Sequence, residues 1–169
     1  YVFMMMAALD RDLINLNQDF KAGNWSGWPQ FAGPYNELTN RELCVLGLGR
    51  IGKQVIKVGN ALGMKCNAIE IRNISKEEKN SLNIQIIVKP TEMLNILSKI
   101  DFLVISVPLN DETRSMIGEK ELINMKPSSF IINPARGAIV NEEHLFRALK
   151  YNNIAGAALD TWYNYPKTQ

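Results

Sequence analysis

Arg41 to Gly63 reads RELCVLGLGRIGKQVIKVGNALG. A short apolar run, Leu43 to Leu46, leads into Gly47-Leu48-Gly49-Arg50-Ile51-Gly52. Beyond it the apolar residues change period. Ile51, Val55, Val58 and Leu62 recur at helical spacing, and Gly63 stands where a helix stops. The stretch therefore predicts a strand, a glycine turn and a helix. An acid, Glu70, follows Gly52 by 18 residues, at the end of the next apolar segment. A G-x-G-x-x-G string alone is weak evidence. With these flanks and this acid it fits a dinucleotide site.

Each residue of the turn then has a physical role. Gly47 permits a tight exit from the strand, Gly49 lets a pyrophosphate approach the backbone, and Gly52 lets the helix pack closely on the sheet. Free amides at the helix start and the helix dipole favour the pyrophosphate charge. Arg50 adds a cationic contact, and Glu70 is expected to accept hydrogen bonds from the adenosine ribose hydroxyls.

The remaining composition narrows the classes. The chain has 169 residues, of which 46% are hydrophobic and 21% charged, so one ordinary globular domain with a real core is expected. A net charge of +2 argues against a nucleic-acid or membrane-surface protein. Cys44 and Cys66 fall in predicted strands and read as small buried apolar residues, not a disulfide framework or a metal site. The single histidine, His144, excludes a histidine-rich metal cluster. The opening Tyr1 to Leu9 is apolar but short and is followed at once by Asp10, Arg11 and Asp12, so neither a bilayer span nor a secretory signal is expected. The expected setting is cytoplasmic.

Along the chain, Tyr1 to Phe20 predicts one helix with a broad apolar face of Met4 to Met6, Leu9, Leu13 and Leu16. Lys21 to Asn40, with Trp25 and Trp28 among glycines and prolines, predicts an irregular connection pinned by its aromatics. Strand and helix signals then alternate. Strands are expected at residues 42–46, 65–69, 84–88, 102–107, 129–132 and 154–159. Helices are expected at 50–62, 75–82, 91–99 (with Thr91 as cap), 118–125 and 141–150 (with Asn141 as cap). Near-continuous apolar strands between helices mean a parallel sheet covered on both faces. The fold class is α/β, a Rossmann-type doubly wound parallel sheet of about six strands in the order 3-2-1-4-5-6. Ligands of such sheets lie beyond the carboxyl ends of the strands. There stand Gly47 to Gly52, Glu70, Val107-Pro108, Asn133 to Gly137, and Asp160.

The stretches GLGRIGKQV, VPLNDETRSMIGEKELINMKPSSFIINPARGAIVNEEHLFRAL and IAGAALDTW resemble the D-isomer-specific 2-hydroxyacid dehydrogenases over nearly the whole chain. The PARG block after its strand is far more specific than the glycine loop. The resemblance implies an enzyme that transfers a hydride between NAD(P)H and a 2-oxo or D-2-hydroxy acid. It implies that residues 1–169 form one dinucleotide-binding domain: 1–40 a leading helix and connection, 41–160 the Rossmann core, and 161–169 the start of a return to a separate substrate domain. Cofactor binding without turnover is the expectation for this stretch by itself, and a homodimer built largely on this domain is the expected assembly.

By the same resemblance Arg136 is the candidate catalytic residue. Its planar guanidinium suits the carboxylate and carbonyl of the substrate and charge that develops on the carbonyl oxygen. Asp160 would accept from the nicotinamide carboxamide. Val107, Pro108 and Thr113 would line the adenosine side, and Pro134 and Ala135 would approach the nicotinamide ribose. The family's acid–base histidine lies downstream of Asp160, and His144 is not its counterpart. Tyr165 stands where the family has a glutamate five residues after the aspartate, which puts the acid–base step in question. The cofactor is expected to be NAD on account of Glu70, with NADP open because Arg72 lies close enough to contact a phosphate. An NAD-sensing regulatory protein of the corepressor type is the alternative on the same fold.

Overall fold

A computed structural model describes residues 1–24 and 37–165. Trp25 and Trp28 of the expected connection, and residues 166–169 of the expected return, lie outside the described residues.

Six strands form one all-parallel sheet: β1 (Glu42–Leu46), β2 (Lys65–Ile69), β3 (Ile87–Val88), β4 (Phe102–Ile105), β5 (Phe130–Asn133) and β6 (Gly156–Leu159). Their order is β3-β2-β1-β4-β5-β6, the doubly wound arrangement expected. The helices are α1 (Val2–Asp10), α2 (Leu13–Lys21), α3 (Arg50–Ala61), α4 (Lys76–Ser81), α5 (Leu94–Leu97), α6 (Glu119–Asn124) and α7 (Glu142–Lys150).

Successive side chains of a strand point to opposite faces, and here both faces are buried. Leu43 and Val45 of β1 pack with Phe102, Val104, Met6 of α1, and Val55 and Ile56 of α3. Cys44 and Leu46 pack on the other side with Leu103, Ile105, Leu122 of α6 and Leu145 of α7. This is why the strands read as unbroken apolar runs. At the amino edge, Arg41 ties α1 to the sheet through Asp10 at 3.0 Å and Asp101 at 3.3 Å.

Four expectations are corrected. The leading helix is two helices, broken where Asp12 adopts a left-handed conformation, φ 49°. Aspartate tolerates that region, and the Asp12 carboxylate accepts from Asn15 Nδ2 at 2.9 Å. The third strand is Ile87–Val88, much shorter than 84–88, because only these two residues keep the regular ladder with β2. Gln85 N already donates to Cys66 O at 2.8 Å before the regular pairing of Ala68 with Ile87 begins. The helix expected over 91–99 is a 3₁₀ turn, Pro90–Glu92, followed by the single turn of α5. Pro90 starts that turn one residue before Thr91, so Thr91 is not its cap, and Glu92 Oε2 instead accepts from Lys89 N at 3.3 Å. The fourth strand ends two residues earlier than expected. Ser106 N still donates to Leu46 O at 2.9 Å, and Pro108 ends the run.

Asn141 caps its helix as expected, and Ser75, expected as the first helical residue, is instead a cap. Ser75 Oγ accepts from Glu78 N at 3.1 Å, and Asn141 Oδ1 accepts from His144 N at 3.0 Å. Both cysteines are free and buried.

Candidate functional site

The site begins where β1 ends. Gly47 has φ 94°, the left-handed region that glycine favours. Its amide donates to Ile69 O at 2.8 Å, and its carbonyl accepts from Ser106 Oγ at 2.7 Å. Leu48, the residue between the glycines, is buried in the core and anchors the turn. A Cβ on Gly52 would collide with the Gly47 carbonyl oxygen and lie 2.7 Å from Ser106 Oγ, so helix and turn meet backbone to backbone. A Cβ on Gly49 would meet nothing within 4 Å. The space over Gly49 is open, as the approach of a ligand requires.

α3 starts at this turn without a side-chain cap and without an acid in its first turn. Its first amides are orphan donors with no protein partner from a cap, and an anion is the natural acceptor. The donor set and the open face over Gly49 fit a dinucleotide pyrophosphate. Arg50 is exposed at the head of the helix.

Glu70 sits directly after β2 and is only 6% exposed. Its Oε2 accepts from Leu48 N at 2.7 Å and from Arg72 Nη2 at 3.2 Å. Its Oε1 accepts from Arg72 N at 2.9 Å and Arg72 Nε at 3.3 Å. Burial alone would raise this carboxyl. The bonds from the Arg72 amide and guanidinium and from the Leu48 amide outweigh it and hold Glu70 below its ordinary value. Glu70 is thus joined to the glycine turn itself, and Arg72 closes over it with a further bond from Nη2 to Leu48 O at 2.9 Å.

Between the turn and the ends of β4 and β5 lies a cleft of about 390 Å³. Ile51, Val107, Pro108, Pro134, Ala135 and Arg136, all picked out in the sequence, line it together with Ser106. Ile51 is 59% exposed, an apolar side chain presented to the cleft. Arg136 is exposed at its margin, with Nη1 donating to Ala135 O at 2.7 Å.

Thr113 is not among the lining residues. It is buried, its hydroxyl donates to Pro108 O at 2.7 Å, and its amide donates to Asn110 Oδ1 at 2.9 Å, so it shapes the loop that carries Pro108. Asp160 is exposed just past β6, and its amide donates to Asn133 O at 3.1 Å. Tyr165 folds back so that its hydroxyl accepts from Trp162 N at 3.4 Å. His144 is committed elsewhere: Nδ1 accepts from Glu119 N at 3.1 Å and fastens α6 to α7. Among the described residues no group of His, Cys, Asp or Glu is arranged to hold a metal ion, and no helix is long and apolar enough to cross a membrane.

Two residues have a positioning role that the sequence reading did not assign: Ser106, not picked out at all, and Asn133, placed at the ligand end of its strand but given no role. Ser106 pins the Gly47 carbonyl from the neighbouring strand. Asn133, fully buried, donates from Nδ2 to Arg136 O at 2.9 Å and accepts from Ala135 N at 3.0 Å, bracing the turn that carries the arginine. Gly137 completes that turn, because a Cβ there would come within 2.9 Å of the Trp162 backbone. The available signal was position: both are polar residues at the carboxyl ends of apolar strands.

Known proteins agree with this geometry. The family model described as "D-isomer specific 2-hydroxyacid dehydrogenase, NAD binding domain" matches residues 3–169. The chain is 34% identical over 162 residues to a D-3-phosphoglycerate dehydrogenase of Methanocaldococcus jannaschii, covering 96% of this chain and 30% of that protein. The NAD-complexed structure of a D-isomer specific 2-hydroxyacid dehydrogenase from Lactobacillus delbrueckii ssp. bulgaricus superposes with a TM-score of 0.79 at 31% identity, over 95% of this chain and 46% of that one. An acyclic imino acid reductase, Bsp5, in complex with NADPH and D-Arg gives 0.82 at 28% identity, over 97% and 50%. The chain spans half or less of the length of each of these relatives. With the matched family model covering all but its first two residues, the chain belongs to the D-isomer specific 2-hydroxyacid dehydrogenase family, as its NAD-binding domain.

Proposed function

We propose that the chain is the cofactor-binding part of an oxidoreductase acting on a 2-oxo or D-2-hydroxy acid, with residues 41–160 as the dinucleotide core. The observation that carries this is the cleft at the carboxyl ends of β1, β4 and β5. An uncapped helix start lies on one side of it and Arg136 at its margin. In this reading the first-turn amides of α3 hold the pyrophosphate, and Gly49 leaves room for it. Ile51, Val107, Pro108, Pro134 and Ala135 give the apolar walls, and Asp160 orients the carboxamide. When bound, the nicotinamide group supplies the hydride. Arg136 binds the substrate carboxylate and carbonyl oxygen, holding charge that grows on that oxygen. No histidine lines the cleft, so the proton for that oxygen comes from outside these cleft residues.

The substrate domain, a homodimer and a cytoplasmic setting belong to the same reading. Exposed Met4, Leu13 and Ile14 on α1 and α2 support a partner copy against the leading helices. Free, buried cysteines suit a reducing compartment. The relatives described above are a dehydrogenase or reductase in each case, which favours an enzyme over a corepressor.

The test is a fluorescence titration of the folded chain with NADH and NADPH, paired with a turnover assay of 2-oxo acids on the full-length protein. Binding of at least one cofactor and consumption of a 2-oxo acid lost in Arg136→Gln are expected. A folded chain that binds neither cofactor would overturn the reading.

A further inference from the structure

We infer that the amino end of the sheet carries a second ligand site, between α1 and the starts of β1, β4, β5 and β6, for a small zwitterion of the α-amino acid class. It lies at the opposite end of the strands from the cofactor cleft and does not depend on that reading. A cavity of about 340 Å³ opens there, lined by Asp10, Arg41, Asp101, Ser128, Phe130 and Ala155. That volume is in the range of small-molecule sites. Arg41 immediately precedes β1, Asp101 precedes β4, Ala155 precedes β6, and Phe130 opens β5. Four strand starts and the last residue of α1 therefore converge on one hollow.

The charges in it are held in place but not used up. The Asp10 side chain is only 6% exposed. Its Oδ1 accepts from Arg41 Nη1 at 3.0 Å, while Oδ2 has no hydrogen-bond donor among the described residues. A nearly buried carboxylate oxygen without a donor calls for a partner. Arg41 is in the same condition. A guanidinium carries five N–H groups, and among the described residues only the one on Nη1 is hydrogen-bonded. Nε is buried 3.3 Å from Asp101 Oδ2 without forming a hydrogen bond. The guanidinium is fixed 5.0 Å over the Phe102 ring, so its open N–H groups are pre-organised. Asp101, in contrast, is fully engaged, accepting from Lys126 Nζ at 3.0 Å and from Glu42 N at 2.8 Å.

The open groups are thus a carboxylate oxygen and a guanidinium edge on two side chains in contact. Their charges cancel, as do those of Asp101 and Lys126, so the hollow favours neither a simple anion nor a simple cation. An ammonium and a carboxylate on one carbon match it, the ammonium on Asp10 Oδ2 and the carboxylate on Arg41, whose planar fork suits two oxygens. Asp10 ends α1, and the carbonyl end of a helix also favours a cation. Phe130, stacked on Phe102 at 5.6 Å between centroids, supplies an apolar wall for a side chain of a few carbons.

The experiment is a calorimetric titration of the chain with L-norvaline, with valerate, which lacks the ammonium, and with butylamine, which lacks the carboxylate. L-norvaline, with about eight non-hydrogen atoms, is expected to bind with a dissociation constant of about 1 mM. Each analogue is expected to bind about tenfold more weakly or worse, the scale of one charge-assisted hydrogen bond. Asp10→Asn keeps an oxygen for Arg41 but removes the charge, and is expected to weaken L-norvaline by the same factor. Ser128→Trp blocks the rim from an exposed residue without touching the ion pairs; it is expected to abolish binding, and it decides the matter where Asp10→Asn does not fold. Both folded variants are expected to bind NADH or NADPH as the parent does. No heat from L-norvaline at about 20 mM, well above the expected constant, with a chain of native circular-dichroism spectrum would overturn the inference. So would equal binding of either analogue, or parental binding by Ser128→Trp, and each of these results leaves the cofactor site standing.

Discussion

Gly49 and Gly52 stand three residues apart in one turn, and the structure gives them opposite reasons for being glycine. At Gly52 the reason is internal. An added Cβ would run into the Gly47 carbonyl oxygen, 2.7 Å from Ser106 Oγ and 3.1 Å from the Gly47 carbonyl carbon. The obstacle is backbone, and real Cβ atoms essentially never come within 3.0 Å of such neighbours. α3 would have to move off the sheet, dragging Val55 and Ile56 out of a close-packed core. Overpacking of this kind costs ~1–3 kcal/mol, and an unyielding obstacle puts Gly52→Ala toward the top of that range. At Gly49 the reason is external. The backbone there has φ −72° and ψ −168°, extended geometry that alanine adopts without strain, and a Cβ would meet no protein atom within 4 Å.

Gly49→Ala should therefore keep its urea midpoint to within ~0.5 kcal/mol of the parent, while its methyl stands where the pyrophosphate must approach. NADH or NADPH binding should weaken by about tenfold or more, equivalent to ~1.4 kcal/mol. Gly52→Ala should lose about 2–3 kcal/mol, seen as a fall in Tm of roughly 4–12 °C for a chain of this size. Thermal and urea denaturation give the stability half, and fluorescence titration gives the binding half. The reasoning fails if Gly49→Ala binds cofactor like the parent, or if Gly52→Ala is as stable as the parent.

Three further outcomes follow from the same contacts. Ser106→Ala removes the 2.7 Å bond to the Gly47 carbonyl; it should cost about 0.5–1.5 kcal/mol in urea and weaken cofactor binding severalfold, and an unchanged affinity would show that the turn needs no brace. Glu70 is held below its ordinary value of 4.5, so its contribution to stability is complete above that pH and is lost as pH falls from 4.5 through the lower folded value; urea midpoints between pH 6 and about 3 should fall more steeply for the parent than for Glu70→Gln, and parallel curves would refute this. Burial first, and then the charge of Glu42, push the Cys66 thiol up to about 11, and burial raises Cys44 further; a thiol reagent at pH 8 should therefore label neither in the folded chain and both in urea, whereas prompt native labelling would contradict the packing.

The sheet and the glycine turn were legible because each rests on a local requirement. A strand buried on both faces must be apolar throughout, and Phe102 to Ile105 is. The turn needs a left-handed residue at Gly47, where a Cβ would also lie 2.7 Å from Val107 Cγ1, and a missing side chain at Gly52, and glycine meets both demands. The break at Asp12 was not legible, because a left-handed aspartate is tolerated, not demanded, and the apolar pattern runs straight through it. The bracing roles of Ser106 and Asn133 escaped for a different reason. Ser106 acts on a carbonyl 59 residues away, and that proximity exists only after β1 and β4 have paired. Asn133 acts within three residues, yet its partners are backbone atoms whose direction depends on where β5 ends, and the sequence pattern placed that end one residue early. Glu70 was the subtler case. Its position as the acid after β2 was read correctly from spacing, but spacing says nothing of which donors reach it first. Leu48, 22 residues before it, and Arg72, two after it, both do. Residue identity at the end of a strand thus reveals that a site exists, while the neighbours of that residue decide what the site still has to offer a ligand.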